Sequence, residues 1–130
     1  MKKKAVLFLV PFMVISYLLH NDYRSYSYEN HIADFGLADV GYNLFAVTLM
    51  ALLSWTGAFK FSKNKFLDIL IITGTYVFVE IASYFIPIFG VFDIKDVIAL
   101  LFSGFLTLCL FRIFDKVAFE KSSIALKQYF

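Results

Sequence analysis

The sequence predicts an all-α polytopic membrane protein with four transmembrane helices and a short C-terminal amphipathic helix. The chain of 130 residues is 61% hydrophobic and 17% charged, whereas a soluble domain is about 45–50% apolar and about 25% charged. A small soluble domain has too much surface to accommodate this excess in a buried core. The apolar residues are also gathered into runs of membrane-spanning length. We therefore interpret the chain as a single membrane domain.

Four apolar runs define the predicted spans, at about residues 5–20, 41–59, 66–89 and 97–114. The first follows three lysines and resembles a signal peptide, but Ser25-Tyr26-Ser27 is a poor cleavage site, so we predict a retained helix. Residues 20–40 and 90–96 are the predicted outer loops, and residues 30–37 are a candidate short interfacial helix. Asp96 is predicted to cap the fourth span. Residues 115–130 form an amphipathic tail.

The distribution of charge predicts the topology. Ten of the twelve basic residues fall at the N-terminus, between the second and third spans, or after the fourth: Lys2, Lys3, Lys4, Lys60, Lys63, Lys65, Arg112, Lys116, Lys121 and Lys127. Loops rich in Lys and Arg mark the cytoplasmic side. We therefore expect both termini to lie in the cytoplasm.

Small residues at helical spacing predict the packing of the spans. Ala51 and Ser54 in the second span, and Ser103 and Thr107 in the fourth, should face other helices, because small side chains allow close helix approach. Most Phe side chains should then face lipid. We expect spans two, three and four to form the core, with Asp68 in the third span near water and Lys65.

Glu80 is the residue that suggests a functional site, because a carboxylate at membrane depth is costly unless it faces a partner or a cavity. The predicted pocket joins it to Tyr76 and Ser83 on the same helix face and to Asp93 and Asp96 on the following turn; Asp34 and Asp39 are further candidate contributors. Such a pocket could bind a divalent cation or a lipid headgroup, or Glu80 could transfer protons. Alternatively, Asp93 and Asp96 are solvated loop and cap residues, and Glu80 is protonated or hydrogen-bonded.

The remaining residues offer no catalytic pattern. The sequence has no nucleophile with a nearby His base, no metal-binding His pair and no phosphate-binding glycine loop. Cys109 is the one cysteine, so an intramolecular disulfide is excluded, and His20 and His31 are interpreted as lone interfacial residues. We expect no enzyme activity, no cofactor and no nucleic-acid partner. The sequence does not determine whether a metal ion is bound.

Residues 66–114 resemble the VanZ-like family of small bacterial membrane proteins. The resemblance is carried by Glu80, then Pro87, then the run Phe92-Asp93-Ile-Lys-Asp96-Val-Ile-Ala99. Ser83 stands where the family usually has Gln, and Leu100 where it has Asn. The resemblance implies a cell-envelope protein of the inner membrane, in a family of which some members are associated with glycopeptide-antibiotic resistance.

Two functions are therefore predicted. The first is a non-enzymatic envelope protein whose outward acidic pocket binds membrane lipid, a lipid-linked envelope ligand or a divalent cation. The second is a small accessory subunit that packs onto a partner membrane protein.

Overall fold

In a computed structural model, the chain forms a bundle of helices. The structure describes residues 1–59, 61–86, 88 and 90–127, with the backbone alone for residues 126 and 127. The helices are α1 (Lys2–Leu18), α2 (Arg24–Glu29), α3 (Leu37–Val40), α4 (Asn43–Thr56), α5 (Lys65–Phe85), α6 (Ile94–Phe114) and α7 (Lys116–Lys127), and a π-helical segment (Leu19–Tyr23) joins α1 to α2. All regular elements in this part of the chain are helical, as the composition predicts.

Four continuous helical segments are long and apolar enough to cross a membrane: Lys2–Glu29, Leu37–Thr56, Lys65–Phe85 and Ile94–Phe114. At 1.5 Å per residue, a helix of 21 residues such as α5 is about 31 Å long, which matches the hydrocarbon thickness. Four spans and the short C-terminal helix are thus confirmed, although their limits differ from those predicted. Pro87, Lys60 and the last residues of the tail, on which several predictions relied, lie outside the described residues.

The first outer loop departs most from prediction. Residues up to Glu29 continue the first helix through the π-helical segment. Residues 30–36 form two turns joined by irregular backbone rather than the predicted interfacial helix. His31 and Phe35 there have φ values of 51° and 56°, which a helix excludes. The regular helix resumes only at α3.

The centre of the fold is α6, which packs against α4 on one side and α5 on the other, while α1 packs against α4. Ser103 and Thr107 are fully buried and, with Thr48, form a hydrogen-bonded cluster in which the two threonine hydroxyls are 2.9 Å apart. Gly104 faces α5, where a Cβ atom would lie 2.6 Å from the Thr73 hydroxyl oxygen. Small residues therefore permit close packing on both sides of α6.

The predicted packing faces are confirmed, since Ala51, Ser54, Ser103 and Thr107 are all buried. Phe111 and Phe114 are exceptions to the expected lipid-facing Phe side chains, because they are buried against Trp55. The core also extends to Ala5 of α1 and is not confined to the last three spans.

The predicted grouping of the loops is visible in contacts between distant parts of the chain. Lys4 Nζ donates a hydrogen bond to the Phe114 carbonyl (3.2 Å), and Lys65 Nζ lies 3.0 Å from Met1 Sδ. The start of α1, the start of α5 and the end of α6 thus share one end of the bundle, which we call the lysine-rich end. The opposite end contains residues 22–39 and 91–96 and is called the acidic end.

Candidate functional site

At the acidic end, Glu80 faces the turn that connects α5 and α6. Its Oε1 accepts a hydrogen bond from the Asp93 backbone N–H at 3.2 Å, and its side chain is half-buried. The Asp93 carboxylate does not join this contact; it accepts from the Lys95 N–H at 2.8 Å and is the N-cap of α6. The prediction that Asp96 caps this helix is wrong, because the helix begins at Ile94 and Asp96 lies in its first turn.

The other predicted pocket residues point elsewhere. Ser83 is buried and donates to the Glu80 carbonyl oxygen at 2.6 Å, which is a local bond within the helix. Tyr76 lines two apolar cavities together with Met50 of α4. The structure therefore brings Glu80 close to the Asp93 backbone without gathering the five residues around one cavity.

The two further candidates, Asp34 and Asp39, accept hydrogen bonds from residues close to them in the sequence. Asp34 accepts hydrogen bonds from the N–H groups of Gly36 and Ala38, at 3.0 and 2.9 Å, and from the Ser27 hydroxyl at 3.2 Å. Partial burial alone would raise the pKa of Asp34, but these donors outweigh it and hold the pKa below its usual value. Asp39 accepts from the Tyr28 hydroxyl, and Arg24 lies 4.0 Å away.

The carboxylates of the acidic end do not form a metal site. Among the described residues, no group of three or more His, Cys, Asp or Glu side chains is arranged to hold a metal ion. Ca²⁺ requires six to eight oxygen ligands. The arrangement at this end is instead typical of carboxylates that cap and tie helices.

A polar cavity of about 360 Å³ lies at the lysine-rich end, between the start of α1, the end of α4 and the start of α5. Its charged lining residues are Lys2, Lys63, Lys65 and Asp68. Asp68 is only 3% exposed, and its Oδ1 has no hydrogen-bond partner within the described chain. The expectation that Asp68 lies near water is thus wrong.

Trp55 provides a second buried polar group on this cavity. The side chain is 3% exposed and packs its ring against Phe111 and Phe114, with ring centroids 5.7 and 6.0 Å apart. Its indole Nε1 also finds no acceptor among the residues that the structure describes. A buried polar group without a partner costs about 1–3 kcal/mol. Two residues that line this cavity, Trp55 and Asp68, therefore carry an unsatisfied donor and an unsatisfied acceptor.

Local sequence features build the walls of this cavity. Gly57 ends α4 with φ of 97°, and a side chain there would meet Lys2 Nζ at 3.3 Å. Ser62 accepts from the Asn64 N–H at 3.0 Å, and Asn64 caps α5 through the Phe66 N–H at 2.9 Å. The loop before α5 is therefore fixed by its own hydrogen bonds, which leave Lys63 and Lys65 on the cavity.

Sequence reasoning missed Asp68 and Trp55, although one signal was available. The argument that a carboxylate in an apolar span needs a partner was applied to Glu80, and Asp68 lies in the same helix. Its proximity to Lys65 in the sequence suggested a solvated pair. No such pair forms. Among the described residues, the one ion pair is Arg24–Asp39, which lies at the acidic end.

Comparison of the chain with protein-family models, curated proteins and solved structures finds no significant match. The VanZ-like resemblance therefore remains a prediction based on its motif residues.

Proposed function

We propose that this chain is a non-enzymatic membrane protein that binds a phospholipid along the seam between α4 and α5. The observation that carries the proposal is a row of cavities on this seam. The polar cavity at the lysine-rich end is followed by an apolar one of about 300 Å³, whose lining includes Met50, Ile72 and Val79. A polar site for a headgroup next to apolar space for acyl chains is what a phospholipid requires.

The spacing along α5 supports this arrangement. Lys65, Asp68, Ile72, Thr75 and Val79 all line cavities of the seam, and steps of three or four residues place them on one helix face. A third apolar cavity of about 200 Å³ shares Met50 and Tyr76 with the second. The polar group is thus at one end of a stripe that is otherwise suited to hydrocarbon.

The lipid-binding role keeps part of the sequence-based hypothesis and relocates it. The ligand class is still a membrane lipid, but the site moves from the acidic end to the lysine-rich end. A divalent cation is not proposed as the ligand. Glu80 and Asp93 accept hydrogen bonds from backbone N–H groups, and no three potential metal ligands lie together in the described chain.

Filling the groove tests the proposal. Val79 is 41% exposed and lines the apolar cavity, whereas Ile81 is 46% exposed and does not line the cavities of the seam. Val79→Trp should reduce the phospholipid retained after detergent extraction about tenfold, because even two displaced methylene contacts are worth about that factor. Ile81→Trp is the matched control and should retain lipid normally. Native mass spectrometry measures both; equal retention in the two variants would contradict lipid binding at this seam.

We also propose the membrane and the orientation. The membrane is the bacterial cytoplasmic membrane, as in the VanZ-like family that residues 66–114 resemble. The lysine-rich end lies in the cytoplasm. The support is the clustering of Lys and Arg at one end. Single cysteines at Asn30 and Lys121, both exposed, test it in a Cys109→Ser background. An impermeant maleimide should label the first in intact cells and spare the second. The reverse pattern would invert the orientation.

The accessory-subunit role is the alternative, and the exposure of the first span favours it. Only 11% of the apolar window of Lys2–Glu29 is buried, against 50% for Ile94–Phe114. A partner helix could cover this face. Gentle extraction followed by native mass spectrometry separates the two functions, since a stoichiometric protein partner would favour the subunit role and bound lipid alone the lipid-binding role.

A further inference from the structure

Within the lipid-binding role proposed above, on which this inference rests, we infer that the cavity at the lysine-rich end selects a headgroup with a phosphate ester and a primary ammonium group, as in phosphatidylethanolamine. The cavity contains both kinds of partner that such a zwitterion needs: cationic donors for the phosphate and a buried carboxylate for the amine. Its volume of about 360 Å³ lies in the range of small-molecule sites.

Three lysines and one indole would bind the phosphate group of the headgroup. Lys2, Lys63 and Lys65 line the cavity, and ammonium groups bind phosphate oxygens as point charges. Trp55 adds a neutral N–H donor that is buried and has no acceptor within the described chain. A phosphate oxygen in the cavity would be an acceptor for this donor.

The amine half is recognised by Asp68. A buried carboxylate is costly unless it is paired or hydrogen-bonded, yet Asp68 has an unpartnered Oδ1 and is 3% exposed. The three lysines line the same cavity, but none forms an ion pair with it in the described chain. A cation brought by the ligand therefore fits this position, and a primary ammonium carries three N–H donors for it.

The same groups discriminate against other common headgroups. A glycerol headgroup would satisfy the lysines but bring no cation to Asp68. A choline headgroup brings a cation whose nitrogen has no N–H to donate. Since a hydrogen bond to a charged group is worth about 1.5–3 kcal/mol, we expect phosphatidylethanolamine to be preferred over both by about tenfold or more.

Competition among lipids tests this preference. The full-length protein is exchanged into micelles with equimolar phosphatidylethanolamine, phosphatidylglycerol and phosphatidylcholine of the same acyl chains, and bound lipid is counted by native mass spectrometry. N-methylation of the ethanolamine should weaken retention stepwise as N–H donors are lost. Soluble phosphoethanolamine at the same concentration should not compete, because it lacks the chains that the apolar cavity holds.

The variant Asp68→Asn isolates the amine half. The amide has nearly the shape of the carboxylate but no charge, so the variant should lose the preference for phosphatidylethanolamine and retain phosphatidylglycerol at least as well as wild type. Glu120→Gln is the matched control: it removes an exposed carboxylate from α7, outside the cavity, and should keep the preference. Circular dichroism and size-exclusion chromatography check folding.

The outcomes separate this inference from the proposed function. If wild type retains all three lipids equally, prefers the glycerol headgroup or ignores N-methylation, the headgroup inference is overturned while lipid binding stands. An Asp68→Asn variant that folds and keeps the preference also overturns it. If wild type retains no lipid of any kind, the proposed function itself fails. The N-methylation series uses wild type alone, so the inference remains testable should Asp68→Asn not fold.

Discussion

One carboxylate at the lysine-rich end, Asp68, differs from four carboxylates at the acidic end in whether the chain supplies it with a hydrogen-bond partner. At the acidic end, Asp34, Asp39, Glu80 and Asp93 each accept a hydrogen bond from the chain itself. At the lysine-rich end, Asp68 is more deeply buried than any of them and has an oxygen without a partner in the described chain. Satisfied carboxylates hold a structure together, whereas an unsatisfied one next to a cavity indicates a place for a ligand.

The largest expected effect concerns the core that joins the two ends. Ser103 is fully buried between α6 and α4 about 14 Å along its helix. Ser103→Leu should reduce the free energy of unfolding by about 3 kcal/mol, through overpacking and lost interhelical hydrogen bonds. Phe105→Leu, at a position 64% exposed, should change it by less than about 0.5 kcal/mol. Unfolding in detergent measures both, and equal tolerance would contradict the assigned faces.

The next effect tests whether the acidic end is structural. Asp93→Ala removes the N-cap of α6 and should lower the free energy of unfolding by about 1 kcal/mol. Asp96 lies in the first turn of the helix and is not its N-cap, so Asp96→Ala should have less than half that effect. A larger loss at Asp96 in the same unfolding assay would restore the cap that the sequence predicts.

A smaller effect is expected at Glu80. Glu80→Gln keeps an oxygen that can accept the Asp93 N–H, so the free energy of unfolding should fall by less than about 1 kcal/mol. Thermal unfolding with and without Ca²⁺ or Mg²⁺ provides the sharper comparison. Any effect of these ions should be the same in wild type and variant; stabilisation that appears only in wild type would show that Glu80 helps to bind a cation.

The smallest effect is local and depends on pH. Because the folded-state pKa of Asp34 is lowered, its contribution to stability is present above the usual Asp pKa and is lost as the pH falls through the folded-state value. The Gly36 and Ala38 amides, which donate to this carboxylate, should then lose protection from hydrogen exchange, after correction for intrinsic rates. Asp34→Asn should remove the pH dependence. Protection that stays unchanged down to the lowest pH at which the protein remains folded would contradict this role.

Two features could be predicted from the sequence: the four spans, and which loops share the lysine-rich end. Hydrophobicity, helix length and the clustering of lysines are properties of the chain itself. The small faces of α4 and α6 were predictable for the same reason: Ser103 and Thr107 recur at helical spacing. The predicted cap at Asp96 was wrong because the first residue of a helix depends on local hydrogen bonds, and Asp93 accepts the capping hydrogen bond three residues earlier.

Only the tertiary structure decided which carboxylate is left without a partner. Asp68 and Glu80 are similar in sequence, because each is an isolated carboxylate among apolar residues of the same helix. Their difference arises from what other elements bring to them: the turn before α6 offers Glu80 an N–H, whereas α1 and α4 enclose Asp68 beside Trp55 and a cavity. Periodicity determines which face a residue occupies on its own helix, but whether a partner meets it depends on distant segments of the chain.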